Sequence, residues 1–154
     1  MKIKGANFLP SHVHWYGSNS AESLDIDLSL RIGQLLTQSI TENGCASIAV
    51  SGGRSPIGLF EELSKINLDW SKVELTLVDE RWIDAKNKDS NELLVRKYLI
   101  KNEATQIKFF PIKSSAKSAK EGQILYERIL QKIKLPFDVI VLGMGGDGHT
   151  ASLF

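Results

Sequence analysis

Four short, mostly apolar runs alternate with segments of helical spacing, and that order constrains the fold more than any other feature of the chain. The runs are Cys45 to Val50, Val73 to Val78, Ile107 to Phe110 and Phe137 to Leu142. Short apolar stretches bounded by turn residues read as buried strands. Between Ser20 and Thr41, Leu24, Leu28, Ile32, Leu35, Leu36 and Ile40 recur at helical spacing, and Asn43-Gly44 supplies the stop. Ser55-Pro56 reads as an N-cap followed by proline at the first helical position, opening a helix through Leu59, Phe60 and Leu63. The polar stretch Asp84 to Asp89 is loop-like, with Asp89 or Ser90 placed to cap a helix reaching about Ile100. Ser115 to Ile133 predicts a further helix, and Ile3 to Leu9 an additional edge strand. Strands alternating with helices predict a three-layer α/β/α fold with a mostly parallel, Rossmann-like sheet.

In such sheets ligands bind beyond the carboxyl ends of the strands, and three of those ends are unusual here. Ser51-Gly52-Gly53-Arg54-Ser55-Pro56 joins a strand to a helix through two glycines. Free amides, the helix N-terminus, two hydroxyls and Arg54 make it a candidate phosphate cradle, although it lacks the Gly-Lys-Ser/Thr ending of a Walker loop. A tight turn with an ordinary cap explains the same residues equally well. Asp79-Glu80-Arg81-Trp82 sets three charges directly after a strand. Arg81 can grip a phosphate or carboxylate with its planar fork, the acids can orient sugar hydroxyls or Arg81, and Trp82 can wall the pocket.

The third segment, Gly143 to Phe154, places Asp147 and His149 in a turn holding four glycines. His149 is the best candidate for proton transfer, because imidazole titrates near neutral pH, and Asp147 can orient its ring. Gly143-x-Gly145-x-x-Gly148 also matches the dinucleotide fingerprint formally. That fingerprint needs a βαβ unit and an acid about 20 residues further on, neither of which follows Gly148, so nicotinamide binding is not expected.

Composition narrows the function classes. A hydrophobic share of 42% and a charged share of 24% are those of an ordinary globular protein, and 154 residues suit one domain better than two. A formal net charge of +1 gives no electrostatic ground for nucleic acid or an anionic membrane as partner. No apolar run approaches the ~20 residues of a membrane span, and the N-terminus lacks the apolar core of a secretory signal. The expectation is a cytoplasmic domain. A single cysteine, Cys45, excludes an internal disulfide and reads as a small apolar residue. His12 and His14 have no acid or cysteine nearby to complete a metal shell, so no metal site is expected. Lys113, Lys117 and Lys120 read as a solvated face.

Taken in order, the three segments, with Asp89-Ser90-Asn91 following the second, resemble those of 6-phosphogluconolactonases, within the family that also holds the glucosamine-6-phosphate deaminases. The related deaminases share a similar Asp-Gly-His loop but typically carry an Asp-Glu-Tyr segment where this chain has Asp79-Glu80-Arg81-Trp82. The resemblance implies a NagB-like fold and hydrolysis of 6-phospho-D-glucono-1,5-lactone to 6-phosphogluconate, without metal or organic cofactor. It implies His149 as general base with Asp147 assisting, and Ser51, Gly52, Gly53, Arg54, Ser55, Asp79, Arg81 and Gly145 as the residues that hold the phosphorylated sugar. Two alternatives stay open: a deaminase-like or isomerase-like sugar-phosphate enzyme, and an inactive sugar-phosphate-binding remnant. The family's chains continue beyond this loop with further strands, helices and basic residues. The expectation is therefore one domain over residues 1–154 that lacks the family's C-terminal segment. A monomer is expected for the family, with self-association through an exposed sheet edge if the chain is shortened.

Overall fold

A computed structural model describes residues 10–153 of the chain. Helix α1 (Ala21–Asn43) leads into β1 (Ala46–Val50), α2 (Ile57–Leu63) and β2 (Val73–Leu77); α3 (Asn91–Tyr98), β3 (Lys108–Phe110), α4 (Ala119–Leu130) and β4 (Val139–Val141) follow. The expected edge strand at Ile3 to Leu9 lies outside the described residues. All neighbouring strands are parallel, in the order β3-β2-β1-β4.

Local chemistry explains the boundaries. The Ser20 hydroxyl accepts the Ser23 amide at 3.1 Å and starts α1. Gly44, at φ 78°, takes the left-handed conformation that ends it, and its N–H returns to the Ile40 carbonyl at 2.9 Å. Ser90 rather than Asp89 caps α3 through the Leu93 amide. Two helices begin later than their sequences suggest. Ser55 does not cap α2: the Ile57 amide turns back to the Arg54 carbonyl, so Ser55-Pro56 forms a preceding turn and Pro56 stands at the cap position. The fourth helix starts after Ser118, whose hydroxyl accepts the Glu121 amide.

The sheet is covered unequally. In register, Ala46, Ile48 and Val50 lie beside Val73, Leu75 and Leu77. These residues join Ile32 and Leu36 of α1, Leu59, Phe60 and Leu63 of α2, and Val95 and Leu99 in one buried cluster. Burying a side chain of this kind contributes about 1.5–3 kcal/mol. Alternation sends Ser47, Ala49, Glu74 and Thr76 to the other face. There Tyr126 of α4 meets the Thr76 hydroxyl, which donates to the Phe110 carbonyl at 2.8 Å. Helices thus lie on both faces, as the alternation predicts, but Ile124, Leu125 and Ile140 remain exposed on or beside the α4 side.

At the amino end of β4, Asp138 fastens the strand to β1. Its Oδ2 accepts the Ser47 amide at 2.7 Å, its own amide donates to the Ser47 carbonyl at 3.0 Å, and Lys134 pairs with Oδ1. Burial raises the carboxyl's pKa. The bonds from Lys134 and the Ser47 amide more than offset this and hold it below the ordinary range.

The chain runs β1 to β2 to β3 in one direction and returns to place β4 on the far side of β1. The strand order reverses between β1 and β4. In open parallel sheets that reversal leaves a crevice at the carboxyl ends.

Candidate active site

The three unusual strand ends meet at this crevice. It has a volume of about 190 Å³ and is lined by Ser51, Gly52, Gly53, Ser55 and Pro56 from the β1 end, Asp79 and Arg81 from the β2 end, and Gly143, Met144, Gly145, His149 and Ala151 after β4, with Asn91 at its floor. Closed small-molecule sites usually measure about 300–1,000 Å³, so this crevice is smaller than a typical closed site.

Hydrogen bonds join the segments. The Ser51 amide donates to the Val141 carbonyl at 3.0 Å, and the Ser51 hydroxyl accepts the Gly143 amide at 3.0 Å. Ser51 is 5% exposed, so its hydroxyl acts first as a tie between two strand ends. Gly53, at φ 95°, occupies a conformation that side chains disfavour. Among the described residues, the amides of Gly52 and Gly53 have no hydrogen-bond partner. They are the available anion donors of this loop. The helix behind them has only seven residues and no side-chain cap, so loop amides rather than a long helix dipole give the cradle its character. The Arg54 side chain is exposed and does not line the crevice, unlike the expectation for it.

The two acids after β2 separate. The Glu80 carboxylate turns to the start of α3, where it accepts the amides of Asn91 and Glu92 at 2.9 and 2.8 Å and the Ser90 hydroxyl at 3.0 Å. Negative charge is favoured at a helix N-terminus. Asp79 stays at the crevice, where its Oδ2 accepts the Ser152 hydroxyl at 2.9 Å. An Arg81 guanidinium nitrogen donates to the Asp89 carbonyl at 2.6 Å, which fixes the fork beside the crevice. Trp82 does not wall the site. Its ring lies so close over Gly122 of α4 that a Cβ there would fall 1.9 Å from it, and the Lys113 ammonium sits 4.4 Å from the ring centroid. Lys113 therefore covers an aromatic face instead of belonging to a purely solvated one.

The loop after β4 folds on itself. The Gly145 amide donates to the His149 carbonyl at 2.8 Å and the Gly148 amide to the Gly145 carbonyl at 3.0 Å, with Gly148 at φ 90°. Asp147 Oδ1 lies 2.5 Å from His149 Nδ1 and also accepts the His149 amide at 3.3 Å. The pair rests directly on Gly145, where a Cβ would fall 2.3 Å from the imidazole. The bond from His149 holds the Asp147 carboxyl below its ordinary range. An ionised carboxylate only accepts, so the ring proton sits on Nδ1, and Nε2 is the nitrogen that can take a proton. Asp147 itself is exposed and reaches the crevice only through the imidazole.

Among the described residues, no three His, Cys, Asp or Glu side chains converge as a metal site, and no helix is long and apolar enough to cross a membrane.

A sequence profile for glucosamine-6-phosphate isomerases/6-phosphogluconolactonase matches residues 19–154. The chain belongs to this family. All three strand-end segments fall inside the matched residues. The chain is 42% identical over 146 residues to the 6-phosphogluconolactonase of Pseudomonas aeruginosa, covering 95% of this chain and 61% of that protein. It is 42% identical over 143 residues to the 6-phosphogluconolactonase of Rhizobium meliloti, covering 93% and 60%. The crystal structure of a 6-phosphogluconolactonase from Shewanella baltica superposes with a TM-score of 0.88 at 42% identity, covering 89% of this chain and 59% of that one. The three-layer family fold is thereby shown. The chain spans about three-fifths of the length of the curated relatives it matches.

Within the family fold, sequence reasoning found most of the crevice lining. It gave no site role to Asn91, Met144, Ala151 or Ser152. The available signal was position: Asn91 closes the Asp89-Ser90-Asn91 motif that follows the Asp79 segment, and the others lie inside the Gly143 loop.

Proposed function

We propose that the crevice serves hydrolysis of 6-phospho-D-glucono-1,5-lactone to 6-phosphogluconate. One observation carries this reading: the Asp147-oriented imidazole of His149 lines the same small crevice as the Gly52–Gly53 loop and Arg81. A phosphorylated lactone needs a base, a place for a developing oxyanion and an anchor for its phosphate. In the proposed reaction, His149 Nε2 takes a proton from water as its oxygen attacks the lactone carbonyl. The carbonyl oxygen becomes an oxyanion. Its collapse breaks the bond to the ring oxygen, which recovers the proton from the imidazolium. Asp147 holds the Nδ1 proton and stabilises the cation formed at mid-reaction. Arg81 and the unpartnered loop amides anchor the phosphorylated sugar acid, and Asp79 orients its hydroxyls.

The 42% identity to 6-phosphogluconolactonases supports the substrate class, as does Arg81-Trp82 in place of the deaminases' tyrosine segment. The test runs two assays on the purified chain: acid release from the phosphorylated lactone and ammonia release from glucosamine-6-phosphate. The expected result is acid release without ammonia. Ammonia release would favour the deaminase reading, and a folded chain inert in both assays would favour a binding remnant.

A further inference from the structure

We propose that Asn91 is a positioning residue that holds Asp79 at the crevice and sets the spacing between the β1 and β2 strand-end loops. The proposal rests on the lactonase reading for what Asp79 is positioned toward.

Asn91 is 2% exposed and stands at the first position of α3. Its backbone is fixed by the Glu80 carboxylate, which accepts its amide. With the backbone held, the side chain reaches back across the crevice floor. Its Nδ2 donates to the Asp79 carbonyl at 3.0 Å and to Asp79 Oδ1 at 3.3 Å. Its Oδ1 lies against Gly52, so close that a Cβ on that glycine would fall 1.8 Å away. One buried side chain thus touches two of the three segments. Through Asp79 it also reaches the third, because the other carboxylate oxygen accepts the Ser152 hydroxyl. A neutral donor is needed here: a carboxylate in the same place has no proton for Asp79 and repels it. The contact also explains Gly52. Its φ lies outside the left-handed region, so the amide of Asn91, rather than backbone conformation, demands glycine there.

Asn91→Asp keeps the shape and removes both donors. Above neutral pH it is expected to lower kcat/KM for the phosphorylated lactone on the order of tenfold or more. Relative to wild type, activity then recovers as the pH falls, because one of two facing carboxyls protonates and donates again. Asn91→Ala is expected to lose activity without that recovery. Parallel, pH-independent losses in both variants, or wild-type kcat/KM in Asn91→Asp, would overturn the positioning role.

A second arm needs no turnover. Gly52→Ala lowers the melting temperature by collision with Asn91, and Asn91→Ala opens the space, so the double variant melts higher than the summed single losses require. Strict additivity would overturn the steric assignment. If wild-type chain neither hydrolyses the lactone nor binds 6-phosphogluconate, the activity reading fails, and the melting cycle alone decides the placement of Asn91.

Discussion

Two aspartates flank β4 and are both held below the ordinary carboxylate range, but they do different work. Asp138, before the strand, is 16% exposed, and one of its partners, Ser47, lies 91 residues away in sequence. Asp147, after the strand, is 69% exposed, and its partner is two residues on. The first acid joins two strands that the chain must bring together. The second holds the ring of His149, which lines the crevice. A lowered pKa therefore does not by itself separate the two; only Asp138 reaches a partner on another strand.

The comparison breaks most visibly at His149. His149→Ala is expected to lower kcat/KM by about 10²–10⁴-fold while leaving the melting temperature near wild type. A variant that unfolds instead would move the pair into the structural class. At the other end, Asp138→Ala is expected to cost about 1.5–3 kcal/mol of stability at pH 7, the range for hydrogen bonds to a charged group. Because the folded carboxyl's pKa is lowered, this contribution is present above the unfolded value of ~3.9 and fades as pH falls through the folded one. Urea denaturation of both proteins at pH 7 and near pH 3 should show the deficit at the first and its narrowing at the second. Asp147→Asn should reduce turnover by about tenfold or more, though by less than His149→Ala, because an amide no longer holds the Nδ1 proton as a carboxylate does, with unchanged stability. The smallest effect is spectroscopic. The Asp147 carboxyl should titrate below ~3.9 in wild type and move back toward it in His149→Ala; an unmoved midpoint would remove the pairing from the account.

The same contrast explains what the sequence made legible. Hydrophobic periodicity and the Asn43-Gly44 stop give α1 closely because each signal is local. The Asp147–His149 pair is legible for the same reason: a two-residue separation inside a glycine turn leaves few arrangements. The role of Glu80 was not legible. Nothing in Asp79-Glu80-Arg81 says which acid turns away, and the choice is made by the amides of α3, more than ten residues on. Trp82 illustrates the same point, since its place is decided by the missing side chain of Gly122. Ser55-Pro56 misled because a capping pattern competes with a turn that closes one residue earlier, through the Arg54 carbonyl.

The central claim is that three strand-end loops, not one, form a single site for a phosphorylated sugar acid. Amide resonances of the chain, followed while 6-phosphogluconate is added, test it without requiring turnover. The account predicts saturable shifts at Gly52 and Gly53, at Arg81, and at Gly145 and His149 with one common affinity. Shifts confined to one loop, or none at millimolar ligand, would contradict it.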